Sequence, residues 1–289
     1  MRPRKTAEPP RGGATPPPSD RTRYRFSEGR TKGPSEREVA CEAPVAVEVD
    51  GFGIAVMMVT PADLEDFAVG FAVAEGLLGP GALPRDVSVA EVPDGWIARL
   101  GLGGAAAEAA RGRVRTRLSE SACGLCGLES LQSLAEPLPR VARPVRPGEA
   151  AVARALRALR GHQPLARATG AAHAAALCEP DGRIVLARED VGRHNALDKL
   201  VGGAARSGLP LSGRFVLMTS RLSFELVEKA ARAGAGGLVA ISAPTSMALA
   251  RAEEAGLPVV VRARRGGMRR PLALGGAARG FRPAVRGGA

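Results

Sequence analysis

Residues 215–219 read Phe-Val-Leu-Met-Thr, 238–242 read Leu-Val-Ala-Ile-Ser and 259–261 read Val-Val-Val. Each run is short and apolar, as a strand buried on both faces requires. Between them, Phe224 to Ala233 and Ser246 to Ala255 have helical composition, and Ser220 stands where it can cap the first. Short apolar strands alternating with helices predict a three-layer α/β domain with a largely parallel sheet. Ligands of such sheets sit at the carboxyl ends of the strands, here near Thr219-Ser220, Ser242 to Pro244 and Arg262.

Upstream, the apolar run Ala171–Cys178, a Pro-Asp-Gly turn at 180–182 and Ile184–Ala187 read as two more strands. A helix is expected from Glu149 to about Arg160, and another from His194 to Val201, broken by Gly202-Gly203. This α/β domain is placed at 149–268, with a linker containing four prolines at 136–148. A smaller α+β domain is placed at 38–135. It opens with a hairpin, Val45–Val49 and Gly53–Val59 around Asp50-Gly51. Thr60 and Pro61 read as the cap and first residue of a helix carrying Leu64, Phe67, Ala68, Phe71 and Ala72, with Gly76 ending it. A second strand pair spans Val87 to Leu100 around Pro93-Asp94-Gly95.

The net charge of +12 is unevenly placed. Residues 1–37 carry +6 and 262–289 carry +8, which leaves −2 for 38–261. The body is therefore no basic nucleic-acid-binding fold, and nine aromatic residues in 289 offer few stacking platforms. Residues 1–37, rich in Pro and charge, read as a disordered arm, and 269–289 as a basic tail. No apolar run reaches the length of a membrane span, and the basic N-terminus lacks the apolar stretch of a secretory signal. Four cysteines without secretory features suggest a reducing cytoplasm rather than a disulfide scaffold.

Two segments carry chemistry. Glu120 to Gly127 contains Cys123 and Cys126, flanked by glycines. Thiols at this spacing can share a metal, cycle through a disulfide or carry sulfur as a persulfide. A structural zinc needs four ligands, and Cys41, Cys178, His162, His173 and His194 include no second tight pair. Arg188 to Lys199 is polar or Gly at nine of twelve positions directly after a strand. It reads equally as a functional loop entering a helix and as a salt-bridged helix start. Thr169-Gly170 with His173 offers a small turn and a lone imidazole. Thr219-Ser220-Arg221 and Ser242 to Ser246 lie where hydroxyls and helix N-termini can meet phosphates. Arg262-Ala263-Arg264-Arg265-Gly266-Gly267 follows the last apolar run and suits an anion grip. The H-x-E and P-C-x-x-C pattern of zinc deaminases is missing.

Taken in order, these motifs resemble the formate dehydrogenase accessory sulfurtransferases, the FdhD family, from Glu38 to about Met268. The resemblance rests on Glu42-Ala43-Pro44, Met58 to Pro61, Val69-Gly70-Phe71 with Glu75-Gly76, Cys123 to Gly127, Thr169-Gly170 with His173, Arg188 to Lys199, Thr219 to Arg221 and Ser242 to Ser246. It implies a cytidine deaminase-like α/β fold and a typically homodimeric, cytoplasmic sulfurtransferase. Cys123 would take persulfide sulfur from a cysteine desulfurase, with Cys126 as a supporting thiol. The acceptor implied is the molybdenum bis(molybdopterin guanine dinucleotide) cofactor, held as bound substrate by Arg262 to Gly267, for formate dehydrogenase. No tightly held metal, nucleic acid or membrane partner is implied. Within the segment, Arg264 matches the family's Arg, whereas Val261 and Arg262 stand where the family usually has Gly and an aromatic. A second reading is a non-catalytic chaperone that only escorts the cofactor.

Overall fold

The computed structural model describes residues 19–28, 31–104, 106–108, 110, 136–264 and 267–271. Its larger unit is a six-stranded sheet. In chain order the strands are β7 (His173–Cys178), β8 (Ile184–Asp190), β9 (Phe215–Met218), β10 (Gly237–Ala240), β11 (Val259–Arg264) and β12 (Gly267–Arg269). Across the sheet they lie β12-β11-β10-β9-β7-β8. β9, β10 and β11 are mutually parallel, whereas β7 runs antiparallel to both neighbours and β12 antiparallel to β11. The sheet is thus parallel at its centre and mixed at its edges. Because β7 alone is reversed among β7–β11, its first residue lies on the same edge as the carboxyl ends of β8, β9, β10 and β11.

Side-chain alternation sends the two sheet faces into separate cores. Ala175, Leu177, Val216, Met218, Leu238 and Ala240 point toward helices α4 (Arg193–Arg206), α5 (Phe224–Arg232) and α6 (Ser246–Ala255). Ala176, Cys178, Phe215, Leu217, Val239 and Val260 point the other way, toward helix α2 (Glu149–Leu159). Helix α3 (Pro164–Thr169) follows α2, and the Glu189 carboxylate accepts from its first free amides, Leu165 N at 2.8 Å and Ala166 N at 2.9 Å. Helices on both faces of one sheet make the three layers expected.

The smaller unit is a four-stranded sheet, β4-β3-β6-β5, of β3 (Ala43–Val49), β4 (Phe52–Val59), β5 (Asp86–Val92) and β6 (Gly95–Gly101). Helix α1 (Leu64–Ala74) lies between this sheet and α4. It is therefore buried nearly all round, Val69, Gly70 and Val73 included, and not only along the stripe read from spacing.

Several local expectations change. Thr60 does not cap α1; Asp63 is the N-cap, and the helix starts at Leu64. Helix α4 does not break at Gly202-Gly203 but continues to Arg206. Those glycines serve a close crossing. A Cβ on Gly202 would stand 1.8 Å from Asp66 O, and one on Gly70 would stand 1.7 Å from Asp198 O. Two helices this close tolerate no side chain at the crossing point, and that gain outweighs the weak helix propensity of glycine.

Within the arm expected at 1–37, β1 (Ser19–Glu28) and β2 (Thr31–Ala40) form an antiparallel ladder. Its register sets Arg21 opposite Glu38 and Arg23 opposite Glu36, and the hairpin lies against α3. Residues 136–148, read as a linker, carry no helix or strand before α2 but are pinned to the larger unit. Val141 N donates to Ala255 O, Val145 N to Gly236 O, and Arg251 Nη2 to Glu136 O at 2.9 Å. No helix among the described residues is long and apolar enough to cross a membrane.

Candidate functional site

The segments singled out from sequence converge on one edge of the six-stranded sheet. His173 opens β7 directly opposite Asp190, the last residue of β8. Beside them β9 ends at Met218, and Thr219 continues the pairing: Ala174 N donates to Thr219 Oγ1 at 2.9 Å. The loop after β9 is joined to the loop after β10, since Leu222 N donates to Ala243 O and Thr245 N to Leu222 O. The loop after β10 is joined in turn to β11, where Arg262 N donates to Ser242 O at 3.0 Å. Arg262 stands at φ +51, a conformation unusual for a non-glycine residue, and its side chain is exposed.

The hydroxyls on this edge are largely committed to the fold. Thr219 Oγ1 holds β7, Ser220 Oγ donates to Arg221 O at 2.9 Å, and Thr245 Oγ1 caps α6 by accepting from Ala248 N at 3.2 Å. Of the remaining polar groups in these motifs, Arg221, Ser246 and Arg262 are exposed and Ser242 is half-buried. Thr169 Oγ1 donates back to Leu165 O at 2.8 Å and Gly170 ends α3 at φ +72, so that motif is local structure.

The expected anion-grip segment is placed differently from the sequence reading. Arg262, Ala263 and Arg264 lie inside β11, not after it, and Gly267 begins β12. Ala263 is fully buried in the core under α2, whereas Arg262 and Arg264 are exposed. The register shift between Val261 and Arg264 allows the strand to turn Arg262 outward while keeping Ala263 inward. Arg265 and Gly266 lie outside the described residues, as do Cys123 and Cys126.

The run Arg188–Lys199 is chiefly a buried ionic joint between the two units. Asp190, completely buried, receives four donors: Thr60 N at 3.0 Å, Lys199 Nζ at 2.6 Å, Gly192 N at 2.8 Å and Asn195 Nδ2 at 3.0 Å. Lys199 Nζ also donates to Thr60 O at 2.8 Å, Val191 N to Thr60 Oγ1 at 3.1 Å, and Asn195 Nδ2 to Met58 O at 2.8 Å. Thr60 thereby ties the small unit to the loop that begins α4. Burial pulls the Lys199 ammonium down from its ordinary pKa, while the Asp190 carboxylate opposes that shift.

Farther along α4, Asp198 pairs with Lys229 at 2.9 Å, and burial raises its carboxyl to about 6 despite that partner. Asp66 of α1 accepts from Arg188 at 2.7 Å and from Arg206 at 2.5 Å. The salt-bridged reading of this segment therefore describes Arg188, Asp190, Asp198 and Lys199. The first turn of α4 differs, because Arg193 and His194 enter no such pair among the described residues. Burial, and then Arg193, hold the His194 imidazole down at about 4, and His173 is lowered by burial and by Arg193.

Thr60, Ser223 and Glu225 were not recognisable as part of this region from sequence. Thr60 sits 130 residues from Asp190, and no local spacing signals a contact at that range. Of the free cysteines described, Cys178 is buried in the sheet core, with its thiol pushed up to about 12 by burial, and Cys41 is half-buried. Among the described residues no three of His, Cys, Asp or Glu are placed to hold a metal ion.

Comparison with known proteins agrees with this architecture. A crystal structure of a formate dehydrogenase accessory protein from Desulfotalea psychrophila is similar with a TM-score of 0.69, covering 87% of this chain and 95% of that one at 24% identity. A sulfur carrier protein FdhD from Variovorax paradoxus is 49% identical over 220 residues, 76% of this chain and 79% of that protein. A second, from Bordetella petrii, is 42% identical over 211 residues, 73% of this chain and 76% of its own. The pattern of the FdhD/NarQ family matches residues 40–270. A match of this extent, with relatives this similar, means that the chain belongs to the FdhD/NarQ family.

Proposed function

We propose that this protein is a cytoplasmic sulfurtransferase that carries sulfur on Cys123 for the maturation of formate dehydrogenase. The thiolate of Cys123 attacks the outer sulfur of a cysteine desulfurase persulfide. A new S–S bond forms on Cys123, the old one breaks, and the desulfurase thiolate leaves, with no external oxidant. Cys126 is the second thiol of the loop. The acceptor is the molybdenum bis(molybdopterin guanine dinucleotide) cofactor, bound as substrate at the edge where Arg221 and Arg262 are exposed. Guanidinium groups suit its phosphates because they donate two parallel hydrogen bonds to one phosphate. The three-layer sheet corresponds, on this reading, to the cytidine deaminase arrangement used without zinc, and the working form is a homodimer.

One observation carries the reading: the family match runs through residues 40–270 and so includes the Cys123-x-x-Cys126 pair, and the similar relatives are named sulfur carrier proteins. The test is mass spectrometry of the protein after incubation with a desulfurase and cysteine, paired with formate dehydrogenase activity in cells. The expected result is added sulfur (about 32 Da) on Cys123, and loss of formate dehydrogenase activity with Cys123→Ala. Full activity with Cys123→Ala sinks the carrier role and favours a chaperone that only escorts the cofactor.

A further inference from the structure

A cavity of about 290 Å³ opens beside the amino end of β11, away from the carboxyl edge of the sheet. Its apolar wall includes Leu249 of α6 and Leu257 and Val259 at the entry to the strand, all buried or half-buried. Arg146, Glu253 and Arg270 line the same cavity, and all three are exposed. Separate segments deliver these charges to one place. Arg146 lies in the stretch before α2, where Val145 N is fastened to Gly236 O. β12 returns antiparallel to β11, with Val261 opposite Arg269, which brings Arg270 back beside the strand's entry. Arg270 Nη2 then donates to Pro147 O at 2.7 Å, so the segments carrying the two guanidinium groups are tied together at the cavity. Glu253 comes from the last turn of α6.

Nearby charges on the same helix are matched. Arg251 and Glu254, on either side of Glu253, pair at 2.5 Å, and Arg251 also reaches Glu228 at 2.8 Å. The side chains of Arg146 and Glu253 enter no hydrogen bond or ion pair, although they line one cavity. Opposite charges held apart across a recess with an apolar wall suit a ligand that carries both charges and an apolar body. We propose that this cavity binds a free apolar α-amino acid. Its carboxylate meets the guanidinium groups of Arg146 and Arg270, its ammonium meets Glu253, and its side chain lies against Leu249, Leu257 and Val259. Guanidinium groups grip a carboxylate through paired N–H donors. An apolar acid without the ammonium would set its charge against Glu253, and an amine without the carboxylate would face two guanidinium groups.

The volume stands at the lower end of the ~300–1,000 Å³ of small-molecule sites, which suits an amino acid and not a dinucleotide. This inference uses none of the residues of the carboxyl edge and holds whichever way the Cys123 test falls.

Isothermal titration calorimetry of the full chain with leucine, phenylalanine and three analogues of leucine tests it. The analogues are 4-methylpentanoate, which lacks the ammonium, 3-methylbutylamine, which lacks the carboxylate, and acetyl-leucine amide, which lacks both charges and stands for a segment of peptide chain. Leucine or phenylalanine is expected to bind, and each analogue to bind at least about tenfold more weakly than leucine, since each forfeits a charged hydrogen bond. Glu253→Gln should weaken leucine by about tenfold while leaving 4-methylpentanoate unchanged or improved, because the acid loses a repulsion and the amino acid an attraction. Arg146→Gln should weaken both. A merely structural Glu253 would lower leucine and the acid alike. Both residues are exposed and unpaired, so the thermal midpoints of the variants should equal that of the unaltered protein. If a variant does not fold, the selectivity of the unaltered protein among the analogues decides. No binding of either amino acid at up to about 10 mM overturns the proposal. So does 4-methylpentanoate or acetyl-leucine amide binding as tightly as leucine, or Glu253→Gln keeping the original selectivity.

Discussion

The two ends of helix α4 were built for different purposes. From Asp198 onward every charge has a partner. Asp198 meets Lys229, Lys199 meets Asp190, and Arg206 meets Glu65 and Asp66 of α1. The same stretch holds Gly202, where α1 crosses too closely for a side chain. At the other end Arg193 and His194 carry buried atoms with nothing to bond. One helix thus serves as the rigid joint between two units and, a turn or two earlier, as the lining of an open polar edge.

This contrast can be broken at several points. The largest effect is expected from Lys199→Ala, which leaves the completely buried Asp190 without its cation. Losing one partner of a buried pair costs about 3–5 kcal/mol. Urea denaturation should show an unfolding free energy lowered by that amount, and a loss under about 1 kcal/mol would mean the joint is not ionic. Next comes Gly202→Ala, whose added methyl must push against the α1 backbone. Overpacking of this kind costs about 1–3 kcal/mol. A thermal midpoint equal to that of the unaltered protein would show that the two helices do not cross so closely.

The smallest effect concerns pH, and it probes the open end. The His194 imidazole is depressed in the folded state, to about 4, below its ordinary value of 6.5. Between those values the unfolded chain binds more protons than the folded one, so His194 makes stability fall as pH drops through that window. Asp198 acts in the opposite sense. Its carboxyl is raised to about 6 from 3.8, so the folded form takes up the proton first and stability gains as pH falls. His194→Gln should therefore lose less stability than the unaltered protein between pH 6.5 and 4, as read by denaturant midpoints. Parallel pH profiles for the two proteins would place His194 in open solvent.

Strong local signals made much of the fold legible. Asp50-Gly51 between two apolar runs marks β3 and β4, Pro93-Asp94-Gly95 marks β5 and β6, and short apolar strands alternate with helices from Phe215 to Val261. The places where the reading changes are those where distant contacts outweigh local preference. Gly202-Gly203 suggests a helix break until α1 supplies the reason for glycine there. Thr60 before Pro61 looks like a helix cap until Asp190, Val191 and Lys199 claim its amide, hydroxyl and carbonyl in turn. The strand at 259–261 extends through Arg264 because β12 returns beside it.

By itself, the sequence determined the strand–helix alternation, the carboxyl edge where the loops gather and the Cys123–Cys126 pair, because each is written in neighbouring residues. Only the tertiary structure decided which polar groups along that edge are already used. Asp190, Thr219, Ser220 and Thr245 are satisfied internally, whereas Arg193, His194, Ser223 and Glu225 are left with unpaired atoms. The physical reason is that a hydrogen bond joins atoms in space. Nothing in the spacing of Asp190 and Glu225 tells that one carboxylate meets four donors and the other keeps an oxygen without a partner among the described residues.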